Sequence, residues 1–362
     1  HGYGVSLERC LDEITLSQPG LVLRAHSEYL AAGADVIETN TFGANRIKLE
    51  EYDLAERAGE INTAGARLAR QAVALSGRHA FVAGSIGPLG KGMAPFGPLS
   101  AATARAAFQE QIAALAAGGV DLLLFETFSD LAEISAAVEA AHTVAPDLPI
   151  VAQMTFVEER RTIAGHSPEE VANALCELGV AVAGANCSSG PALVLRVARR
   201  MQAACPTLYY ASQPNAGYPT RQSGRLMYPS SPSYFSDFAR QAAAAGIRLI
   251  GGCCGTTPEH TAAMAAGLRA APLDPAELPQ LTSISQPKAL PEAALRELFI
   301  GLGIDPALLA DPRSLELAAH TLQQSLLAEL DTVVRMLESL REGPRCWGEM
   351  VYAPADQQTI RT

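Results

Sequence analysis

From Ala34 to about Ala271, short apolar runs alternate with longer amphipathic stretches. The runs are Asp35–Thr39, Ala80–Gly84, Asp121–Phe125, Pro149–Gln153, Ala181–Gly184, Thr207–Ala211 and Ile247–Ile250. Alanine-rich helical segments such as Ala101–Ala117, Ser129–Ala145 and Pro232–Ala245 fall between them, one unit for roughly thirty to forty residues. Strand and helix in regular alternation form βα units around a parallel sheet. Just past the last run, Thr257-Pro258 reads as a helix N-cap followed by proline at the first helical position.

A (β/α)8 barrel needs eight such strands over roughly 250 residues and carries its chemistry on the loops after the strands. Seven runs are present, and the chain begins with His1 rather than an initiator methionine. The expectation is therefore an α/β TIM-type barrel over residues 1–271 lacking its first strand. An open doubly wound sheet is the rival that the pattern leaves standing. Beyond Ala271, Pro272, Pro275, Pro279, Pro287 and Pro291 punctuate a polar linker over residues 272–292. Residues 293–362 then read as a helical C-terminal extension. Within it, Ser314–Arg341 predicts one long helix whose Leu326, Leu330, Val333, Leu337 and Leu340 form a seam that must pack on something. The barrel, a second copy and a further domain are all open as its cover, and the extension holds no catalytic constellation.

Composition narrows the partners. Hydrophobic residues make up 48% and charged residues 18% of the 362, enough for a large core. The formal charge of −11, with no basic run, argues against nucleic acid and anionic membrane and for a small-molecule site. No apolar run is long enough to span a bilayer, and Glu8, Arg9, Asp12 and Glu13 do not make a signal peptide, so the expected location is cytoplasmic. Seven cysteines spread over a long chain are unlike a secreted disulfide framework. Cys10, Cys176, Cys205 and Cys346 lie outside any motif and read as small buried residues or inert thiols.

Candidate chemistry gathers where the runs end. They pass into Glu38-Thr39-Asn40-Thr41, Ser85-Ile86-Gly87-Pro88, Glu126-Thr127, Asn186-Cys187, Pro214-Asn215-Ala216-Gly217 and Cys253-Cys254. Polar groups at the carboxyl ends of parallel strands converge on one mouth. Any one of these could be a cap, but their recurrence on so many strands points to a site. Cys187 and the Cys253-Cys254 pair end strands that a closed barrel sets on either side of a single strand. Spacing alone leaves open small buried thiols, a strained vicinal disulfide and a metal site. Three cysteines on tetrahedral zinc would leave one position for a substrate. A substrate thiol entering there would lose its proton and stay nucleophilic, which implies alkyl transfer to sulfur.

Gly251-Gly252-Cys253-Cys254-Gly255-Thr256-Thr257-Pro258-Glu259-His260 and Gly184-Ala185-Asn186-Cys187-Ser188-Ser189-Gly190-Pro191 resemble the zinc-binding signature of the homocysteine S-methyltransferase family. Asp35–Asn45 and Gly119–Phe128 match further family blocks, so the likeness runs from about Val5 to Ala271. The resemblance implies Zn2+ on Cys187, Cys253 and Cys254, and methyl transfer to homocysteine to give methionine. It implies that Glu126 accepts a hydrogen bond from the homocysteine ammonium, that Asn215 sits near the metal, and that Asn40 and Ser85 line the pocket. The family's Asp-Gly-Ala-Met-Gly-Thr type block is not among these residues. Betaine-using relatives carry tyrosines where Gly43 and Thr127 stand here, which argues against that donor. Methylcobalamin or a methylated folate, delivered by a partner domain, is the expected methyl source, with S-methylmethionine as another. A zinc- and thiol-binding barrel without catalysis of its own is the rival reading.

Overall fold

The computed structural model describes residues 10–157, 161–218, 220–222 and 225–270, with only the backbone described from 220 to 227. The linker, the long helix and Cys346 therefore lie outside the described residues. All seven apolar runs become strands of one parallel sheet: β1 (Val36–Glu38), β2 (Phe81–Ile86), β3 (Leu122–Phe128), β4 (Ile150–Met154), β5 (Val182–Asn186), β6 (Tyr209–Gln213) and, after a hairpin of β7 (Thr220–Gln222) and β8 (Arg225–Met227), β9 (Leu249–Ile250). Their spatial order is β1-β2-β3-β4-β5-β6-β9. Each pairs in parallel with its neighbour, as in Ile37 with Val82, Ser85 with Leu124 and Ala185 with Ser212. The seven form a curled part-barrel with helices outside, so the doubly wound alternative falls. β1 and β9 are the sheet's two ends and make no backbone ladder with each other among the described residues.

The connecting helices are Ala58–Ser76, Ala101–Gly118, Leu131–Val144, Pro168–Glu177, Pro191–Ala204 and Pro232–Ala244, with Pro258–Arg269 after β9. Several of their starts are fixed by side-chain caps: Ser100 accepts from the Thr103 amide, Asp130 from Ala132, and Ser167 forms a reciprocal box with Glu170. The expected Thr257-Pro258 start also holds, with the Thr257 amide donating to Nδ1 of His260 at 3.2 Å.

Strand periodicity of two divides the sheet into an outer and an inner face. Outward residues such as Val82, Leu123, Phe125, Ala152 and Tyr210 join the large core beneath the helices. Inward ones form a separate apolar layer of Ala83, Leu124, Val151 and Ala211, with Val36, Leu122, Val182 and Leu249 packed against it. Two residues further along, the inner face turns polar: Val36 gives way to Glu38, Ala83 to Ser85, Leu124 to Glu126, Val151 to Gln153 and Ala211 to Gln213. The barrel thus has an apolar floor and a polar upper layer. At Gly184 the floor depends on having no side chain, since a Cβ there would lie 2.7 Å from both the Cβ and the carbonyl oxygen of Ala211.

Before β1, helix Pro19–Ala31 buries Val22, His26 and Leu30 along one stripe. His26 is 6% exposed, its Nε2 has no hydrogen-bond partner, and burial pushes its pKa down to about 4. Its imidazole is therefore neutral when folded, while the unfolded chain binds a proton below the ordinary value of 6.5. Stability present above pH 6.5 is then lost as the pH falls towards 4. His26→Leu should flatten this dependence, removing about 2 kcal/mol of the stability lost between pH 7 and pH 5 in denaturant titrations. Parallel pH profiles for the two proteins would show that His26 does not control it.

Candidate metal centre

Three loops at the carboxyl ends of β5, β6 and β9 are stitched together through their backbones. The Cys187 amide donates to Gln213 O (3.0 Å), the Asn215 amide to Ser189 O (3.0 Å), the Cys253 amide to Pro214 O (2.8 Å) and the Ala216 amide to Cys254 O (2.8 Å). The loop after β6 is thus the common anchor for both cysteine loops. This is the flanking arrangement expected from the order of the runs.

The three sulfurs converge. Sγ of Cys187 lies 3.8 Å from that of Cys254, Cys253 and Cys254 are 4.0 Å apart, and all three fall within 4.8 Å of one another. Zn–S bonds of about 2.3 Å at tetrahedral angles separate two sulfurs by about 3.8 Å, so the spacing fits such an ion. Among the described residues this is the one group of three or more potential His, Cys, Asp or Glu ligands. Cys187, accepting from Cys253 and Cys254, is held well below the usual thiol range. Cys254, which donates to both other sulfurs and is buried, is pushed well above it.

The remaining candidate residues fall into two groups. Asn215 belongs to the cluster: its Oδ1 accepts from the Cys254 amide at 3.1 Å, and its side chain also reaches Cys187. Glu126, 7% exposed, accepts from Ser85 Oγ at 2.6 Å, while Asn186 Nδ2 lies 3.5 Å from its other oxygen. Ser85 and Glu126 therefore act as one unit in the polar upper layer. Asn40 donates through Nδ2 to Leu11 O (2.8 Å) and Thr15 Oγ1 (3.1 Å), and its buried Oδ1 has no partner. The same layer holds a second chain of groups in which Gln153 donates to Gln213, and Gln213 to Glu38 at 2.8 Å. Burial raises the Glu38 carboxyl above its ordinary value, opposed by the Gln213 bond. A groove of about 600 Å³ beside helix Ala58–Ser76, lined by residues such as Leu16, Pro19, Thr63 and Leu68, contains none of the candidate groups.

Asn186 is the joint that sequence reasoning passed over as a site residue. It donates to Thr127 Oγ1 at 2.8 Å, accepts from the Thr127 amide at 2.8 Å and approaches Cys253 Sγ at 3.9 Å. Its place directly before Cys187 was the available signal. Thr127, Cys187 and Ser188 have φ of 63°, 61° and 51°, left-handed conformations that cost non-glycine residues about 1–3 kcal/mol each. Asn186 holds one of these strained tips and adjoins the other.

The comparisons with known proteins meet this geometry. A sequence model of homocysteine S-methyltransferase matches residues 2–268. The chain belongs to the homocysteine S-methyltransferase family. It is 33% identical to the methionine synthase of Mycobacterium tuberculosis over 272 residues, 72% of this chain and 22% of that protein. The methionine synthase of Mycobacterium leprae is 31% identical over the same length. The chain therefore spans about a fifth of the curated relatives it matches. The metallated form of the Escherichia coli homocysteine methyltransferase MmuM superposes with a TM-score of 0.62 at 26% identity, covering 73% of this chain and 90% of that one. Residues 291–362 match a model of the fifth domain of a family of unknown function. No helix among the described residues is long and apolar enough to cross a membrane.

Asn186→Ala should destabilise the protein by about 1–3 kcal/mol, because it orphans the half-buried Thr127 amide and hydroxyl at a strained backbone. Chemical denaturation measures this, and an unchanged midpoint would mean that the tip of β3 is held by other contacts.

Proposed function

We propose that the barrel binds one zinc through Cys187, Cys253 and Cys254 and transfers a methyl group to the thiol of homocysteine, giving methionine. The convergence of three sulfurs at zinc spacing, in a chain of this family, carries the reading. Zinc held there would supply the positive charge that keeps a fourth, substrate sulfur deprotonated and nucleophilic near neutral pH.

The chain's own residues bind and orient. Glu126 receives the ammonium of homocysteine, a cation that offsets the cost of keeping a carboxylate in a buried layer. Ser85 fixes one carboxylate oxygen and Asn186 approaches the other, so the group is aimed before substrate arrives. Asn215 positions the Cys254 loop through that residue's amide and adjusts Cys187 from beside it. Asn40 acts at the pocket wall, where its unpaired Oδ1 leaves one buried acceptor for an incoming donor. The apolar floor keeps water from beneath the sulfur. The thiolate sulfur then forms the new S–C bond while the donor's bond to the same methyl carbon breaks. Proximity and orientation supply much of the rate. The methyl arrives from methylcobalamin or a methylated folate on a partner domain, with S-methylmethionine as the donor that needs none. Residues 1–271 form the catalytic barrel, residues 272–292 the linker, and the protein acts in the cytoplasm.

The purified protein should hold about one zinc, and Cys187→Ala, Cys253→Ala and Cys254→Ala should each lose it by metal analysis. Full retention in any one removes that residue from the ligand set. Glu126→Gln should keep its zinc yet bind homocysteine about 10- to 100-fold more weakly, as expected for loss of one charge-assisted hydrogen bond. A folded Glu126→Gln protein with normal affinity rejects the assigned role. Methionine formation from a panel of the named donors tests the reaction itself, and binding of zinc and homocysteine with no turnover on any donor would support the non-catalytic reading.

A further inference from the structure

Cys176 closes helix Pro168–Glu177, and Cys205 is the C-cap of helix Pro191–Ala204. Nothing in their sequence spacing pairs them. Yet their sulfurs lie 2.6 Å apart, well inside the roughly 3.5–4.0 Å at which non-bonded heavy atoms rest. Thr207 Oγ1 approaches both, at 3.2 Å from Cys205 and 3.6 Å from Cys176. Both thiols are free, Cys176 half-buried and Cys205 buried at 6% exposure. The pair belongs to no group of three potential metal ligands among the described residues. It also sits where these helices lead into β5 and β6, at the barrel end opposite Cys187 and Asn215.

We propose that Cys176 and Cys205 are a reversible thiol–disulfide site, oxidised by small disulfides such as glutathione disulfide and independent of the metal centre. Exposure sets the order of events. Cys176, the accessible partner, loses its proton and attacks one sulfur of glutathione disulfide; the S–S bond breaks and the departing glutathione thiolate takes up that proton. Cys205 then attacks the Cys176 sulfur of the mixed disulfide and expels the second glutathione, which takes the proton that Cys205 gave up. Two protein thiols and one glutathione disulfide become one protein disulfide and two glutathione thiols. The surroundings of Cys205 support its attack on the mixed disulfide: burial opposes ionisation, while the Thr207 hydroxyl and the Thr207 and Leu208 amides favour the thiolate. The product ties the helix before β5 to the helix after it, bracing the unit that carries Cys187.

The zinc-loaded full chain, incubated in glutathione redox buffers, tests this by peptide mapping without reduction. Trypsin alone leaves Cys176 and Cys187 on one peptide, so a glutamate-specific protease is added to cut after Glu177. The expected product links the Cys176 and Cys205 peptides, spares Cys187, Cys253 and Cys254, and disappears on dithiothreitol treatment. A cross-link closing a loop of this size should raise the melting temperature by about 5 °C or more. Cys205→Ser should stop at a glutathione adduct on Cys176, and Cys176→Ser should react far more slowly at the shielded Cys205. Recovery of both residues as free thiols, or as separate glutathione adducts, in the folded wild type would overturn the proposal. So would a Cys176→Ser protein that oxidises as fast as the wild type.

Discussion

Three sulfurs held within 4.8 Å of one another are the constraint to which the rest of the upper barrel answers. Two like charges at about 4 Å repel by roughly 4 kcal/mol at an effective dielectric of 20, so three neighbouring thiolates are untenable without a cation. The chain brings the sulfurs together nonetheless, and it does so with backbone hydrogen bonds rather than with opposite charge. Four amide-to-carbonyl bonds hang the Cys187 and Cys253-Cys254 loops on the loop after β6. Position is fixed by the fold, and the sulfurs themselves bring no balancing charge.

The same division of labour runs down each strand. A two-residue step carries the inner face from Ala83, Leu124, Val151 and Ala211 to Ser85, Glu126, Gln153 and Gln213. The apolar layer contributes hydrophobic stability and the layer above it holds the chemistry, as barrel geometry generally separates the two. Buried carboxylates in that upper layer are tolerable because neighbours donate to them, as Ser85 does to Glu126 and Gln213 to Glu38. Strain is concentrated at the strand tips too, in Thr127, Cys187 and Ser188.

Much of this was legible from the chain. Each strand is a brief apolar run bounded by helix, and that signal survives because both faces of a parallel strand are buried. Cys187 and Cys253-Cys254 could be placed on either side of one strand because sheet order follows chain order. Contacts across the chain were not legible. The roles of Asn186 and His26 depend on what folding brings against them, and the Cys176–Cys205 contact joins residues 29 apart that share no motif. The partners of Asn40 were equally out of reach of the sequence, since its amide donates to Leu11 and Thr15 far back along the chain. The antiparallel hairpin of β7 (Thr220–Gln222) and β8 (Arg225–Met227) also went unread, being two three-residue strands in a polar loop.

A curled sheet whose end strands do not pair among the described residues needs something else to hold its curvature, and the structure supplies it in two places. Inside, Gln213 of β6 donates to Glu38 of β1, joining strands that lie far apart in the ladder. Outside, the helix before β1 meets the helix after β9, where a Cβ on Gly33 would come within 3.2 Å of Ala265. Tyr29, from the first of these helices, donates to the carbonyl of Thr256 at 3.0 Å. Thr256 in turn donates through its hydroxyl to Cys253 O at 2.7 Å. Side chains and helices therefore close the ring that the described strands leave open, and the contact that closes it ends on the loop of the paired cysteines. The position of those sulfurs is thus coupled to helix Pro19–Ala31 as well as to β6, so the integrity of the outer layer bears directly on the sulfur cluster.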